Sequence, residues 1–387
     1  GPDHPALRGA ERQDPLKNDF SGKGTVFMKE LLVALSEGRS YDITIEKGIL
    51  SRCGQEIRKV YNGSQVCVIT DSNVAPLYLG KVTASLKEAG FQVKTMAFAA
   101  GEKSKNMETL VSLYDGMLSP LPFPMTRGGL VVALGGGVVG DMVGFAAATL
   151  FRGIPFVQIP TTLLAQVDSS VGGKVAVDLK QGKNLAGAFY QPKAVLIDPE
   201  TLDTLPDRVF QDGLAEVVKY GVLGDERLFS LLESCRDRQE LMTHMEEIVY
   251  TCCDAKRAIV ERDEKDTGDR MLLNFGHTLG HAYEKLGNYE VYMHGEAVSC
   301  GMVKILAIGE EQGLTEKGTA DRVKALLSRF GLPVEPEAIP PEALRQVLAY
   351  DKKGNGGTLT VVLCRKMGES FLHPMEKSEF SRWACGE

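Results

Sequence analysis

The sequence predicts an α/β half built on a parallel sheet, followed by a mainly α-helical half. Three observations carry this. Short apolar and β-branched runs alternate with helical segments between residues 41 and 159. One of those runs, residues 129–134 (GLVVAL), leads directly into a glycine-rich turn, GGGVVGD. After Asp198-Pro199 the texture changes: long amphipathic segments fill residues 207–348, and strand signals nearly vanish until residues 358–364.

Taken in order, residues 41–45 alternate as a strand does, and residues 50–60 read as a helix. Residues 66–70 (VCVIT) form a β-branched run ending at Asp71-Ser72-Asn73, where a strand meets a helix. A helical stretch over 77–89 stops at Gly90, and 92–98 is the next strand. Strand, helix, strand in this span is a βαβ unit, whose two strands run parallel. In GGGVVGD, Gly135, Gly137 and Gly140 satisfy GxGxxG at a strand-to-helix turn. Glycines there let the backbone approach a pyrophosphate, and the following helix offers free N–H groups. The acid expected about twenty residues further on is missing, so this is not the standard dinucleotide fingerprint, and a tight packing turn is the alternative. Residues 146–150 continue that helix and 156–159 are another buried strand. Helical segments then cover 212–223, 228–237, 241–260, 278–286, 295–312 and 319–330, placing a domain boundary near Pro206. The expected organisation is an α/β domain over 28–205 and a helical domain over 206–387. No internal repeat is evident.

Composition narrows the function. With 387 residues, 43% hydrophobic and 25% charged, the chain has the balance of a globular protein with a large core. A net charge of −7 argues against nucleic acid or an anionic membrane as partner, so basic groups converging on one spot would mark a dedicated anion site. No apolar run reaches the roughly 18 residues that a membrane span needs. The eight cysteines form no CxxC pair, and Cys252 and Cys253 are adjacent. Reduced, buried thiols in a cytoplasmic protein are expected. Residues 1–27 are polar and lack the apolar core of a signal peptide. They read as an appended or disordered leader, with Gly1-Pro2 like a protease-cleavage remnant and Met28 a natural initiator.

Chemistry concentrates in residues 272–296, LLNFGHTLGHAYEKLGNYEVYMHGE, which hold His277, His281 and His294 of the chain's six histidines. His277 and His281 lie four apart, on one face of a helix. Imidazole is a common ligand for zinc-like metals, so the choice is between a divalent metal site and a pair of hydrogen-bonded core histidines. Four further stretches are dense in polar groups. QVDSSVGGK (166–174), preceded by Pro160-Thr161-Thr162, reads as a flexible, donor-rich loop suited to hydroxyls and phosphate. QGKNLAG (181–187) adds Lys183 and Asn184, again as a loop. For both, ordinary solvated loop residues are the alternative. In LAEVVKY (214–220), Glu216 and Lys219 sit three apart on an apolar helix, as a salt bridge or a working pair, and a glutamate could complete a site of two histidines and one carboxylate. Lys256, Asp263, Glu264, Asp266 and Arg270 crowd the approach to the histidines.

The order of the motifs is more specific than any one of them. GEKSK, GGGVVGD, FRG, PTTLLAQVDSSVGGK, GKN, AEVVKYG, LNFGHTLGH, HGEAV and DKK occur in one continuous series. That series resembles the 3-dehydroquinate synthase family of the sugar phosphate cyclase superfamily, over about residues 41–368. The resemblance implies a nucleotide-binding α/β domain and a helical domain with the active site between them. It implies Glu216, His277 and His294 as ligands of a divalent metal, Zn2+ or Co2+, with His281 facing substrate phosphate instead. It implies an NAD+ site of Asp71, Asn73, Glu102, Lys105, Gly136, Gly137, Val138, Val139, Asp141, Thr161, Thr162, Lys183 and Thr204. Arg152 (contributed by a dimer partner), Lys174, Asn184, Asn274 and His281 would hold the phosphate of a seven-carbon keto acid. Lys256 and Arg270 would hold its carboxylate, and Lys352 and Lys353 would complete the pocket. Asp168 and Lys219 would bond the reacting hydroxyls, with Asp266 and His281 among the catalytic groups.

The implied function is a cytoplasmic homodimeric lyase of aromatic amino-acid biosynthesis, acting by transient oxidation, phosphate elimination, re-reduction and ring closure. Two departures stand out: VAVDLKQ follows GGK where the family often has TG(I/V)NHP, and Asp266 stands where the family has a glutamate. The rival readings are a sister cyclase making 2-deoxy-scyllo-inosose or an epi-valiolone, a metal-dependent alcohol or glycerol dehydrogenase, and a non-catalytic paralogue. The Lys256/Arg270 pair and Asn274-Phe275-Gly276-His277 favour a carboxylate-bearing substrate.

Overall fold

The computed structural model describes residues 28–350 and 356–387. The leader, and with it Lys352 and Lys353, lies outside the described residues. The first half contains β1 (Lys29–Val33), β2 (Tyr41–Ile45), α1 (Cys53–Arg58), β3 (Gln65–Asp71), α2 (Gly80–Glu88), β4 (Gln92–Phe98) and α3 (Met107–Leu118). It continues through β5 (Leu130–Gly135), α4 (Gly137–Thr149), β6 (Phe156–Pro160), β7 (Lys174–Leu179), β8 (Gly182–Phe189) and β9 (Ala194–Ile197). From α5 (Asp207–Gly224) the chain is helical: α6 (Glu226–Ser234), α7 (Arg238–Thr243), α8 (Met245–Arg262), α9 (His277–Leu286), α10 (His294–Glu311), α11 (Thr319–Arg329) and α12 (Pro341–Ala349). The hairpin β10 (Thr358–Lys366) and β11 (Glu369–Glu376) and then α13 (Lys377–Cys385) close it.

Seven strands form one sheet in the order β1-β2-β9-β6-β5-β3-β4, parallel except for β1 against β2. Their alternation sorts side chains onto two faces. Val66 and Val68 of β3 pack with Ile57, Val82 and Leu86 under α1 and α2, while Cys67 and Ile69 join Met142 and Val143 of α4. β5 and β6 are buried on both faces, which accounts for their apolar sequences, broken only by the buried Gln158 of β6. The largest core merges Ile43, Ile45, Val195 and Ile197 at the β1–β2–β9 edge with the helices after residue 207.

Several expectations need correction. Residues 181–187 are not a loop: β8 pairs antiparallel with β7 in a hairpin that packs Val175 and Val177 on α4. Lys183, Asn184 and Leu185 of β8 are exposed in succession, so no buried alternation marks the strand. Residues 165–169 of the supposed flexible loop form a buried wide helical turn, with Gln166 and Val167 fully enclosed. Residues 241–260 are two helices, α7 and α8, broken at His244, and the segment from 228 stops at Ser234. β1, β7, β9, α3, β11, α12 and α13 carry no signal among the elements expected from the sequence. β9 has only four residues, all apolar and buried, so it carries no period to read.

Candidate active site

Helix α5 runs through the centre of the helical half. Leu214, Ala215, Val217 and Val218 are buried around Glu216 and Lys219, which are themselves 0% and 1% exposed. The sequence leaves α5 no solvated face there, so its charged pair must be satisfied internally. Glu216 Oε1 lies 3.0 Å from His277 Nε2 and 2.8 Å from His294 Nε2. Its other oxygen is 2.6 Å from Lys219 Nζ, outside hydrogen-bonding geometry and therefore an ion pair, while Lys219 donates to the Leu273 carbonyl at 3.0 Å.

The two histidines arrive from helix starts that small residues allow to approach closely. Gly276, in the left-handed region at φ 73°, precedes α9, and a Cβ there would come within 2.9 Å of the Met302 nitrogen. Gly295 follows His294 at the start of α10, and a Cβ on it would overlap the Asp212 carbonyl of α5. That close approach is the physical content of the His-Gly-Glu motif. His277 Nδ1 lies 2.8 Å from the Phe275 carbonyl, which fixes the ring so that Nε2 faces Glu216. Ligand atoms of Glu216, His277 and His294 lie within 4.8 Å of one another. Two imidazole nitrogens and a carboxylate oxygen converging on one point fit a divalent cation. His281, Glu284 and His294 meet the same distance criterion.

Behind this cluster the charges alternate. Lys256 of α8 holds Asp168 Oδ1 at 2.7 Å and also donates to its backbone carbonyl, and Tyr220 donates to the same carboxylate at 3.3 Å. Burial would raise the Asp168 carboxyl, but Lys256 and then Lys219 overcome it and hold it at about 2. Glu216 is likewise held well below the usual range against its burial, chiefly by Lys219 and His277. Lys219 is raised, its carboxylate neighbours outweighing burial, whereas burial wins at Lys256 and lowers it.

Arg270 is buried and donates to the carbonyls of Gly172 (3.2 Å) and Glu264 (2.8 Å). Gly172 has φ 112°, and a Cβ on it would overlap the Arg270 guanidinium, so the Gly-Gly pair makes room for this cation. Asp263 and Glu264 are taken up structurally. Asp263 accepts from the backbone of Thr267, Gly268 and Arg270, and Glu264 pairs with Arg39. Asp266, at φ 60°, pairs with Lys174 of β7.

A single cavity of about 1630 Å³ opens beyond the carboxyl ends of β3, β5 and β6, where open α/β sheets bind ligands. Its wall includes every residue assigned above to the nucleotide: Asp71, Asn73, Glu102, Lys105, the turn 136–139, Asp141, Thr161, Thr162, Lys183 and Thr204. Lys174, Asn184, His281, Glu284 and His294 line it as well. α4 begins at Gly137 without a side-chain cap, and a Cβ on Gly136 would press on Thr162 at 3.0 Å. Thr161 and Ser169 have buried hydroxyls without a hydrogen-bond partner among the described residues. Uncapped helix N–H groups, a crowded glycine and idle hydroxyls fit a pyrophosphate. Lys105 Nζ joins the two sides, 2.7 Å from Asp141 Oδ2 and from Asn184 Oδ1.

Glu216, His277, Asp168, Lys219, Lys256, Arg270 and Asn274 are not among the residues that line it. Arg152 is exposed at φ 64° and lies outside the wall. Glu284 and Tyr220 were missed by the sequence reading. Glu284 could have been noticed, being a carboxylate three residues after His281 on an otherwise apolar helix face.

A family model described as 3-dehydroquinate synthase N-terminal matches residues 95–212, and the corresponding C-terminal model matches residues 213–354. A 3-dehydroquinate synthase of Clostridium botulinum is 50% identical over 345 residues, covering 89% of this chain and 97% of the relative. A solved 2-deoxy-scyllo-inosose synthase, complexed with carbaglucose-6-phosphate, NAD+ and Co2+, superposes with a TM-score of 0.81 at 25% identity, covering 93% of this chain and 100% of that one. The 2-epi-5-epi-valiolone synthase of Streptomyces hygroscopicus subsp. jinggangensis, with NAD+ and Zn2+ bound, gives 0.80 at 27%, covering 91% and 98%. The two motif-rich halves, their continuous core and this extent of identity make the chain a member of the 3-dehydroquinate synthase family.

Proposed function

We propose that the chain converts 3-deoxy-D-arabino-heptulosonate 7-phosphate to 3-dehydroquinate and phosphate. The observation that carries this reading is one cavity whose wall joins the glycine turn of α4 to His281 and His294. The proposed metal ligands are Glu216, His277 and His294, and the cavity residues named above would receive NAD+. Bound there, the cation would supply Lewis acidity toward a substrate hydroxyl and the nucleotide a reversible hydride acceptor.

The chain's own groups divide a doubly anionic substrate between them. Lys174, Asn184, Asn274 and His281 would hold the phosphate end, joined by Arg152 of a second copy. Lys256 and Arg270 would hold the carboxylate, with Lys352 and Lys353 closing the pocket. Asp168, kept ionised by Lys256, and Lys219 would hydrogen-bond the reacting hydroxyls and steady the charge that develops there. Asp266, paired with Lys174, would act in proton transfer. Residues 28–205 would serve the nucleotide and 206–387 the metal and substrate, in a cytoplasmic homodimer. The exposed turn at Arg152 supports a role across subunits, and eight free thiols support a reducing compartment.

The test is phosphate release from the keto-acid phosphate in the presence of NAD+ and Zn2+ or Co2+. Release from glucose 6-phosphate, and none from the keto acid, would overturn the assignment in favour of a sister cyclase.

A further inference from the structure

Glu284 lies on α9 two turns beyond His277 and is 7% exposed. A buried carboxylate must be matched by a donor or a positive charge. The nearest candidate is His294: Glu284 Oε1 stands 3.6 Å from its Nδ1, the ring nitrogen opposite the one that faces Glu216. His281 Nε2 is further away, 4.0 Å from the other Glu284 oxygen. His277 shows a tighter version with a backbone group in place of the carboxylate, its Nδ1 2.8 Å from the Phe275 carbonyl. Each ring therefore has an oxygen behind Nδ1 and Glu216 in front of Nε2.

We propose that Glu284 is a positioning residue for the metal site, holding the proton of His294 on Nδ1 so that Nε2 presents its lone pair to the cation. The carboxylate fixes the tautomer and the ring plane, and its negative charge makes the imidazole a stronger donor. Because His294 heads α10, with 31% of its side chain exposed against 10% for His277, it has the greater need of such a partner. In this role Glu284 acts through His294.

The inference rests on the metal site proposed above, and the experiment separates the two. Zn2+ affinity is measured by competition with a chromophoric chelator for the full chain and for Glu284→Gln, His277→Ala and His281→Ala. The visible spectrum of each Co2+-loaded form is recorded alongside, and the metal-free melting temperature controls for folding. Glu284→Gln is expected to melt like the parent, to bind Zn2+ about 10- to 100-fold more weakly, and to show an altered Co2+ spectrum. Glu284→Asp should recover part of the affinity. Parental affinity and spectrum in Glu284→Gln, with metal lost in His277→Ala, would overturn the role of Glu284 alone. Full affinity in His277→Ala would overturn the metal site itself. Two Zn2+ per chain, one of them lost in both Glu284→Gln and His281→Ala, would mean that Glu284 is a ligand of a second ion and would overturn the positioning role.

Discussion

Removing the charge of Glu216 should destabilise the metal-free protein and uncouple it from zinc. In Glu216→Gln the side chain keeps its shape, but Lys219, 1% exposed, loses the carboxylate 2.6 Å from its ammonium. Coulomb's law at that distance and an effective dielectric of about 20 gives about 6 kcal/mol. The charges lose hydration on burial, which offsets part of this, so the expected net loss is about 3–5 kcal/mol, the range for breaking a buried pair from one side. Typical domain stabilities are about 5–15 kcal/mol, so the effect is large. The companion Glu216→Gln/Lys219→Met should recover most of it, because it buries neither charge unpaired. Urea denaturation of the chelated protein, run as a double-mutant cycle, reads the coupling directly. A Glu216→Gln midpoint equal to the parent, or a double variant as weak as the sum of the singles, would refute the reasoning. Bound zinc, counted by mass spectrometry after gel filtration, should fall to background in Glu216→Gln.

Four other outcomes follow from the geometry. Gly172→Ala should lose about 1–3 kcal/mol from backbone strain and raise KM by displacing Arg270, visible in denaturation and steady-state kinetics. His277→Ala should contain no metal, while His281→Ala should keep its metal and lose turnover; a metal-free His281→Ala would overturn the ligand assignment. At Asp263 burial opposes ionisation, but backbone donors from Thr267, Arg270 and Gly268 hold its carboxyl at about 2. A depressed folded value stabilises the protein above the unfolded value of about 3.9, and the contribution is lost as pH falls toward 2. Asp263→Asn should therefore cost about 1–2 kcal/mol at pH 7, by analogy with lost caps, and almost nothing near pH 2. Lys256→Met removes the cation that most depresses Asp168. The acid limb of its pH–rate profile should accordingly move to higher pH.

Much of this protein is legible in its amino-acid order. The runs at 66–70, 92–98 and 129–134 match β3, β4 and β5 to within a residue. β3 and β5 lie inside the parallel sheet and have no polar face to disguise them, whereas β4 is the sheet's edge strand and keeps exposed residues. The change to helix after Pro206 was equally legible, since amphipathic periodicity is local. How these pieces share work depends on long-range packing. Spacing offered His277 and His281 as a pair, yet His294, placed on α5 by the contact of Gly295 with Asp212, is the ring whose Nε2 shares Glu216 Oε1 with His277. β8 stayed hidden because exposure runs through consecutive residues without a buried alternation and its register depends on β7. Asp168 and Lys256 are 88 residues apart, and only folding brings them to 2.7 Å. Local sequence sets backbone conformation, whereas a charge acquires its role from what is buried beside it, and that is fixed by long-range packing.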